Sequence, residues 1–178
     1  MSSYNRANAT FGSLAVAMGI IVGILLVMAI VVAGGREEHI PSVDYRIDAA
    51  TLRDTASYTT YVPGDELPEG WVATSSRLTT DDPVSWTLGF ATPADRHAEL
   101  AMSDADSDDF IADTTKGESA GTTDVDGASW ERFERPSQSD KKPRRALVKR
   151  EEGATVIVVG SAGFDELETL AGSLEPQS

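Results

Sequence analysis

Leu14–Ala33 reads LAVAMGIIVGILLVMAIVVA, without a charge or a strong hydrogen-bonding side chain. At 1.5 Å per residue a helix of about twenty residues covers roughly 30 Å, the thickness of a bilayer's hydrocarbon layer. Lipid offers backbone amides no partner, so a crossing segment satisfies them internally as a helix. The sequence therefore predicts a transmembrane helix over residues 11–33. Around it stand a cytoplasmic tail (1–10), a juxtamembrane linker (34–42), one domain (43–175) and a short tail (176–178). The competing reading is a secretory signal peptide cleaved after Ala33, but the apolar run exceeds the usual 7–15 residue core of such peptides. Arg36 and Arg46 follow the segment and only Arg6 precedes it, so basic residues alone do not orient it. A short tail ahead of a first hydrophobic segment has the form of a signal anchor. That form predicts a single-pass protein of the cell membrane with its large domain extracytoplasmic.

Ala15, Gly19 and Gly23 recur every four residues within this segment. Small residues at that spacing share a helix face and let a second helix approach, which predicts a homodimer face. The alternative is that glycine and alanine are simply common in membrane helices.

The chain carries 15 basic and 29 acidic residues, a net charge of −14, and residues 1–33 contribute only Arg6 to that balance. A polar domain so acidic repels nucleic acid over most of its surface. Cysteine is absent, which removes disulfides, thiolate metal sites and cysteine nucleophiles. Expected partners are the bilayer, through Leu14–Ala33, and another envelope protein.

Beyond the linker, Val43, Tyr45 and Ile47 alternate with Asp44 and Arg46, a strand pattern. Asp48 is placed to cap a helix running to about Ser57, and Tyr58–Val62 is rich in strand formers. The turn Leu67-Pro68-Glu69-Gly70 delivers Trp71 into a strand ending near Leu78. Asp81-Asp82-Pro83 then returns the chain through Val84–Ala91, with Trp86, Leu88 and Phe90 on one side. This is a β-hairpin.

The short N-terminal tail, the anchor, the helix, and the proline-glycine-tryptophan turn before a Trp-containing strand resemble an actinobacterial single-pass membrane family, the domain-of-unknown-function family 4245. The resemblance covers nearly the whole chain and implies an exported domain. Its motifs are structural, so it transfers no site residue. The element order is also similar to the Mog1/PsbP-like α/β sandwich, and fold likeness does not license a function.

His97–Ser103 alternates as a strand with His97 facing away from Ala98, Leu100 and Met102. The run Asp104, Asp106, Asp108, Asp109 begins like a calcium loop, but the sixth position is Asp109 and the twelfth Thr115, where glycine and glutamate are needed. A solvated acidic loop leading into a short helix, with Phe110 and Ile111 packed inward, fits better. Gly117-Glu118-Ser119-Ala120-Gly121 matches the serine-nucleophile turn of α/β-hydrolases. Polar residues flank it on both sides, and no histidine follows Ser119, so a flexible loop is expected. His39, beside Glu37 and Glu38, reads as part of a solvated linker.

Ala128–Arg135 is a strand in which the odd spacing of Trp130 and Phe133 suggests a bulge. Pro136–Arg144 is a polar loop. Lys141, Lys142, Arg144 and Arg145 form the basic cluster of an acidic domain, a candidate contact for anionic lipid or a partner. Arg145–Glu151 and Ala154–Gly160 flank Glu152-Gly153 as a hairpin, and Val156–Val159 reads as a central strand covered on both faces. Phe164, Leu167, Leu170, Ala171 and Leu174 fall at helical spacing on one face.

The expected fold is α+β, a mostly antiparallel sheet of six or seven strands with short packed helices. The expected function is a membrane-anchored, extracytoplasmic binding or assembly module, non-catalytic and without a cofactor. The alternatives are a divalent-cation sensor using Asp104–Asp109 and a cell-envelope hydrolase using Ser119, His97 or those carboxylates.

Overall fold

The computed structural model describes residues 16–28, 42–64, 66–135 and 143–177. Two units divide the chain, Met1–His39 and Ile40–Ser178. In the first, residues 16–28 form helix α1, exposed along its whole length. Thirteen residues of helix cover about 20 Å, less than a bilayer's hydrocarbon layer. Among the described residues no helix is long and apolar enough to cross a membrane. The remainder of the expected 11–33 segment, Ala15 included, lies outside the described residues.

The second unit is α+β, built on a seven-stranded sheet in which every pairing is antiparallel. Its strands are β2 (Val72–Thr79), β3 (Ser85–Ala91), β4 (His97–Ser103), β5 (Glu118–Val125), β6 (Ala128–Arg135), β7 (Arg144–Glu151) and β8 (Ala154–Gly160). Their order across the sheet is β2-β3-β4-β8-β7-β6-β5. A separate ribbon pairs β1 (Tyr61–Pro63) with β9 (Leu174–Pro176). The helices are α2 (Arg46–Thr55), α3 (Ser107–Thr115) and α4 (Phe164–Gly172).

The position of β8 follows from its sequence. All seven of its residues are buried, so both its faces need cover. Ala154, Val156 and Val158 enter a core shared with Trp86, Leu88, Phe90, Leu100 and Leu147, closed by Leu52 of α2 and Leu167 and Leu170 of α4. Ile157 and Val159 enter a smaller core with Ala101, Ala146 and Val148, closed by Ile111 of α3. We call these the α4 face and the α3 face. Trp130 and Phe133 lie in different cores, so their odd spacing marks two sides of β6. In the β5–β6 pair the register irregularity lies in β5, between Ser119 and Thr122.

Inside the larger core a polar relay joins three elements. The Trp86 indole N–H donates to Ser76 Oγ at 2.9 Å, and the Ser76 hydroxyl donates to the Asp48 carboxylate on α2. The relay lets a buried tryptophan satisfy its polar edge.

Several expectations change. Asp48 does not cap α2, whose N-cap is Tyr45; it lies in the first turn and accepts from Ser76. Val43–Ile47 is not a strand: Val43 N–H makes one bond to Ala73 C=O, and Asp44 Oδ1 then accepts the Arg46 N–H and helix α2 begins, leaving Ile47 77 % exposed. The strand expected over Tyr58–Val62 is reduced to Tyr61–Pro63, because its partner β9 is only three residues long. Gly117–Gly121 is not a loop, since Glu118 onward pairs with β6 as an edge strand. Leu174 does not extend α4, and Pro176, expected to open the tail, ends strand β9: the helix closes at Ser173, and Leu174 crosses to pair with Pro63.

Removing the largest fully buried side chain, Trp86→Ala, is expected to cost about 3–5 kcal/mol, from the cavity it leaves and the loss of its bond to Ser76. Urea denaturation measures it as a lower midpoint with an unchanged slope.

Candidate functional site

Alternation along β7 sends Lys149 and Glu151 to the α4 face and Arg150 to the α3 face. Lys149 enters a cleft of about 140 Å³ whose walls include Tyr61, Trp130, Val156, Ala171 and Leu174. The β1–β9 ribbon supplies Tyr61 and Leu174, β6 supplies Trp130, and the end of α4 supplies Ala171. Three polar groups converge at its rim. Lys149 Nζ stands 2.6 Å from Glu151 Oε1, the Tyr61 hydroxyl donates to the same oxygen at 2.9 Å, and Lys149 Nζ reaches the Tyr61 oxygen at 3.5 Å. The ammonium also lies 5.0 Å from the Tyr61 ring centre and 6.0 Å from that of Trp130, within cation–π range.

This arrangement fixes each group in its ordinary charge state. Burial pulls the Lys149 ammonium down, but Glu151 and Tyr61 outweigh it and hold its pKa above the usual value. Burial alone would raise the Glu151 carboxyl. Its bonds from Lys149 and Tyr61 win and hold it low. Burial, then the bond to Glu151, pushes the Tyr61 phenol up. None of the three is drawn toward neutrality, where a general acid or base works best. An apolar-floored cleft with aromatic walls and a fixed cation is suited to holding a ligand.

The sequence did not single out this trio. Its one trace is Lys149-Arg150-Glu151, which puts opposite charges two apart on one face of a strand. The partner Tyr61 is contributed from far away in the chain.

The two described members of the basic cluster, Arg144 and Arg145, fall on opposite faces of the sheet. Lys141 and Lys142 lie outside the described residues. Arg144 pairs with Arg135 on the α3 face, whereas Arg145 pairs with Glu134 on the α4 face. There Arg145 Nε bonds Glu134 Oε1 at 3.0 Å, and Arg132 stacks 3.7 Å from the Phe164 ring centre. Gly19 and Gly23 lie on α1, and nothing comes within 4 Å of where a Cβ would stand at either.

The acidic run has structural work. Asp106 caps α3, its carboxylate accepting the N–H groups of Asp108 and Asp109. Asp108 pairs with Arg150 at 3.0 Å, and Asp104 stands near Tyr58, whose phenol burial, and then Asp104, push up to about 12. Among the described residues no group of three potential ligands is placed to hold a metal ion. Ser119 lies exposed on edge strand β5, and His97 on β4, with β6, β7 and β8 between them. At about 4.8 Å per strand they are roughly 19 Å apart across the sheet, far beyond a nucleophile–base bond.

Two outcomes follow. Asp106→Ala is expected to lower stability by about 1 kcal/mol through loss of the cap, equally in calcium and in chelator, read by thermal unfolding. Because Glu151's folded pKa is lowered, its contribution is present above the unfolded carboxylate value and is lost as pH falls through the folded one. Glu151→Gln is therefore expected to flatten the acid limb of stability below about pH 5, measured by urea midpoints.

A search of curated proteins returns no match to this chain. A family model described as "Protein of unknown function (DUF4245)" matches residues 6–174, nearly the whole sequence. The chain belongs to the DUF4245 family.

Proposed function

We propose that the protein is a membrane-anchored, extracytoplasmic binding or assembly module without catalytic activity. The observation that carries this reading is the surface of α1. Ten apolar side chains between Val16 and Met28 are 51–64 % exposed, with no charged residue among them. An apolar surface of that kind needs a cover. The sequence continues apolar on both sides, from Leu14 to Ala33, which supports a bilayer as the cover. Gly19 and Gly23, one turn apart with open space beside each, support a second copy of the helix as a further contact within the membrane.

The binding role rests on the cleft around Tyr61, Trp130 and Lys149, whose ionisable groups are locked in their ordinary states. Its ligand would be small, or a projecting side chain of another envelope protein. Helices on both faces of one antiparallel sheet support the Mog1/PsbP-like comparison at the level of layers.

Alkaline extraction of membranes is expected to leave the full chain in the pellet, and protease added to spheroplasts is expected to degrade the domain. Recovery in the soluble fraction, or a domain untouched by external protease, would overturn the reading.

A further inference from the structure

On the α3 face the antiparallel register lines up polar residues across one end of the sheet. Glu99, Val159, Ala146 and Phe133 form one row across β4, β8, β7 and β6. One step further along the strands, the same face carries His97, then Arg144 opposite Arg135, with Ser161 just past the end of β8. Ser161 is held there by two bonds to His97: its N–H donates to the His97 C=O at 2.9 Å, and its hydroxyl oxygen accepts the His97 N–H at 3.2 Å. Gly160 permits the approach, since a Cβ on it would strike the His97 carbonyl.

These residues enclose a cleft of about 230 Å³ lined by His97, Arg135, Pro143, Arg144, Gly160 and Ser161. Its charge is unbalanced. Arg135 and Arg144 stand directly opposite each other, a like-charge pairing that destabilises a sheet by itself. Arg144 Nε donates to the Thr114 carbonyl in the last turn of α3 at 3.0 Å, which spends one of its donors and leaves its positive charge in place. Arg135 Nε is shielded from solvent and has no hydrogen-bond partner among the described residues. A shielded guanidinium N–H without an acceptor is a costly state. Glu99, one row below, acts on Arg144 through space, but neither arginine makes an ion pair among the described residues. On the opposite face Arg145 is answered by Glu134 and Arg132 lies over the Phe164 ring, although Arg132 Nε also has no hydrogen-bond partner among the described residues.

We infer that this cleft is a binding site for a phosphate group, held between Arg135 and Arg144 with the Ser161 hydroxyl at its side. The Ser161 oxygen already accepts from the backbone, so its hydrogen is available to donate outward. Two guanidinium forks and a hydroxyl offer donors from several directions. That set suits a tetrahedral oxyanion better than a planar carboxylate, which one fork satisfies. The phosphate supplies the acceptor that Arg135 lacks and the negative charge that separates two facing cations.

The test is titration calorimetry on the full chain in neutral detergent. Inorganic phosphate and the phosphodiester glycerophosphoglycerol, the soluble part of an anionic lipid headgroup, are titrated separately, with acetate for comparison. Saturable binding of at least one phosphorus compound is expected, weakened about tenfold or more in Arg135→Gln and unchanged in Arg77→Gln, an exposed arginine on β2. A response to inorganic phosphate alone assigns a free phosphate, and a response to the diester assigns a lipid headgroup. Relief of the facing charges gives a second readout: without phosphate, Arg135→Gln is expected to melt no lower than wild type, and added phosphate is expected to raise the melting temperature of wild type only. Absence of saturable binding, binding that survives Arg135→Gln, or acetate binding as tightly as phosphate would overturn the assignment.

Discussion

A strand without a solvent-facing side obliges the chain to supply two covers. Val156 and Val158 point one way from β8, Ile157 and Val159 the other, and all four are fully buried. Each valine or isoleucine removed from water contributes about 1.5–3 kcal/mol, so neither face can be left open. The α4 face receives two helices and the larger core, and the α3 face one helix and the smaller core. Position along each neighbouring strand then sorts side chains by parity. Lys149 and Arg150, or Arg144 and Arg145, are adjacent in sequence and belong to opposite surfaces of the domain.

The same sorting separates what the two surfaces can do. On the α4 face two ion pairs form, Lys149 with Glu151 beside Tyr61 and Arg145 with Glu134, and Arg132 lies over Phe164. The cleft there is aromatic, with fixed charge states. On the α3 face the end row concentrates positive charge against a helix C-terminus, in a chain whose net charge is −14.

Strong periodicity made much of this fold legible. The Trp71–Ala91 hairpin, the β4 strand, the β7–β8 hairpin and the amphipathic α4 all announce themselves through apolar spacing, and each is present. Failures came where tertiary partners decide. Val43–Ile47 alternates like a strand, but one side-chain bond from Asp44 starts a helix two residues later. Edge strand β5 is polar because its faces are mostly exposed, so it carries no apolar signal and the stretch around Ser119 reads as a loop. Leu174 keeps helical spacing and still leaves the helix, since the β1 edge is available to it. The sites were harder to see. Tyr61 meets Glu151 only through packing of the β1–β9 ribbon on the sheet, Arg135 meets Arg144 only through register, and of the basic run Arg144 and Arg145 fall on opposite faces by alternation.

The two-sided burial of β8 is tested most directly by native-state hydrogen exchange. Amides of Val156–Val159 are expected to exchange only through global unfolding, with a protection free energy matching that from urea denaturation. The β1–β9 ribbon and edge strand β5 are expected to open at lower cost. Exchange in β8 as fast as in β5 would contradict a sheet held from both sides.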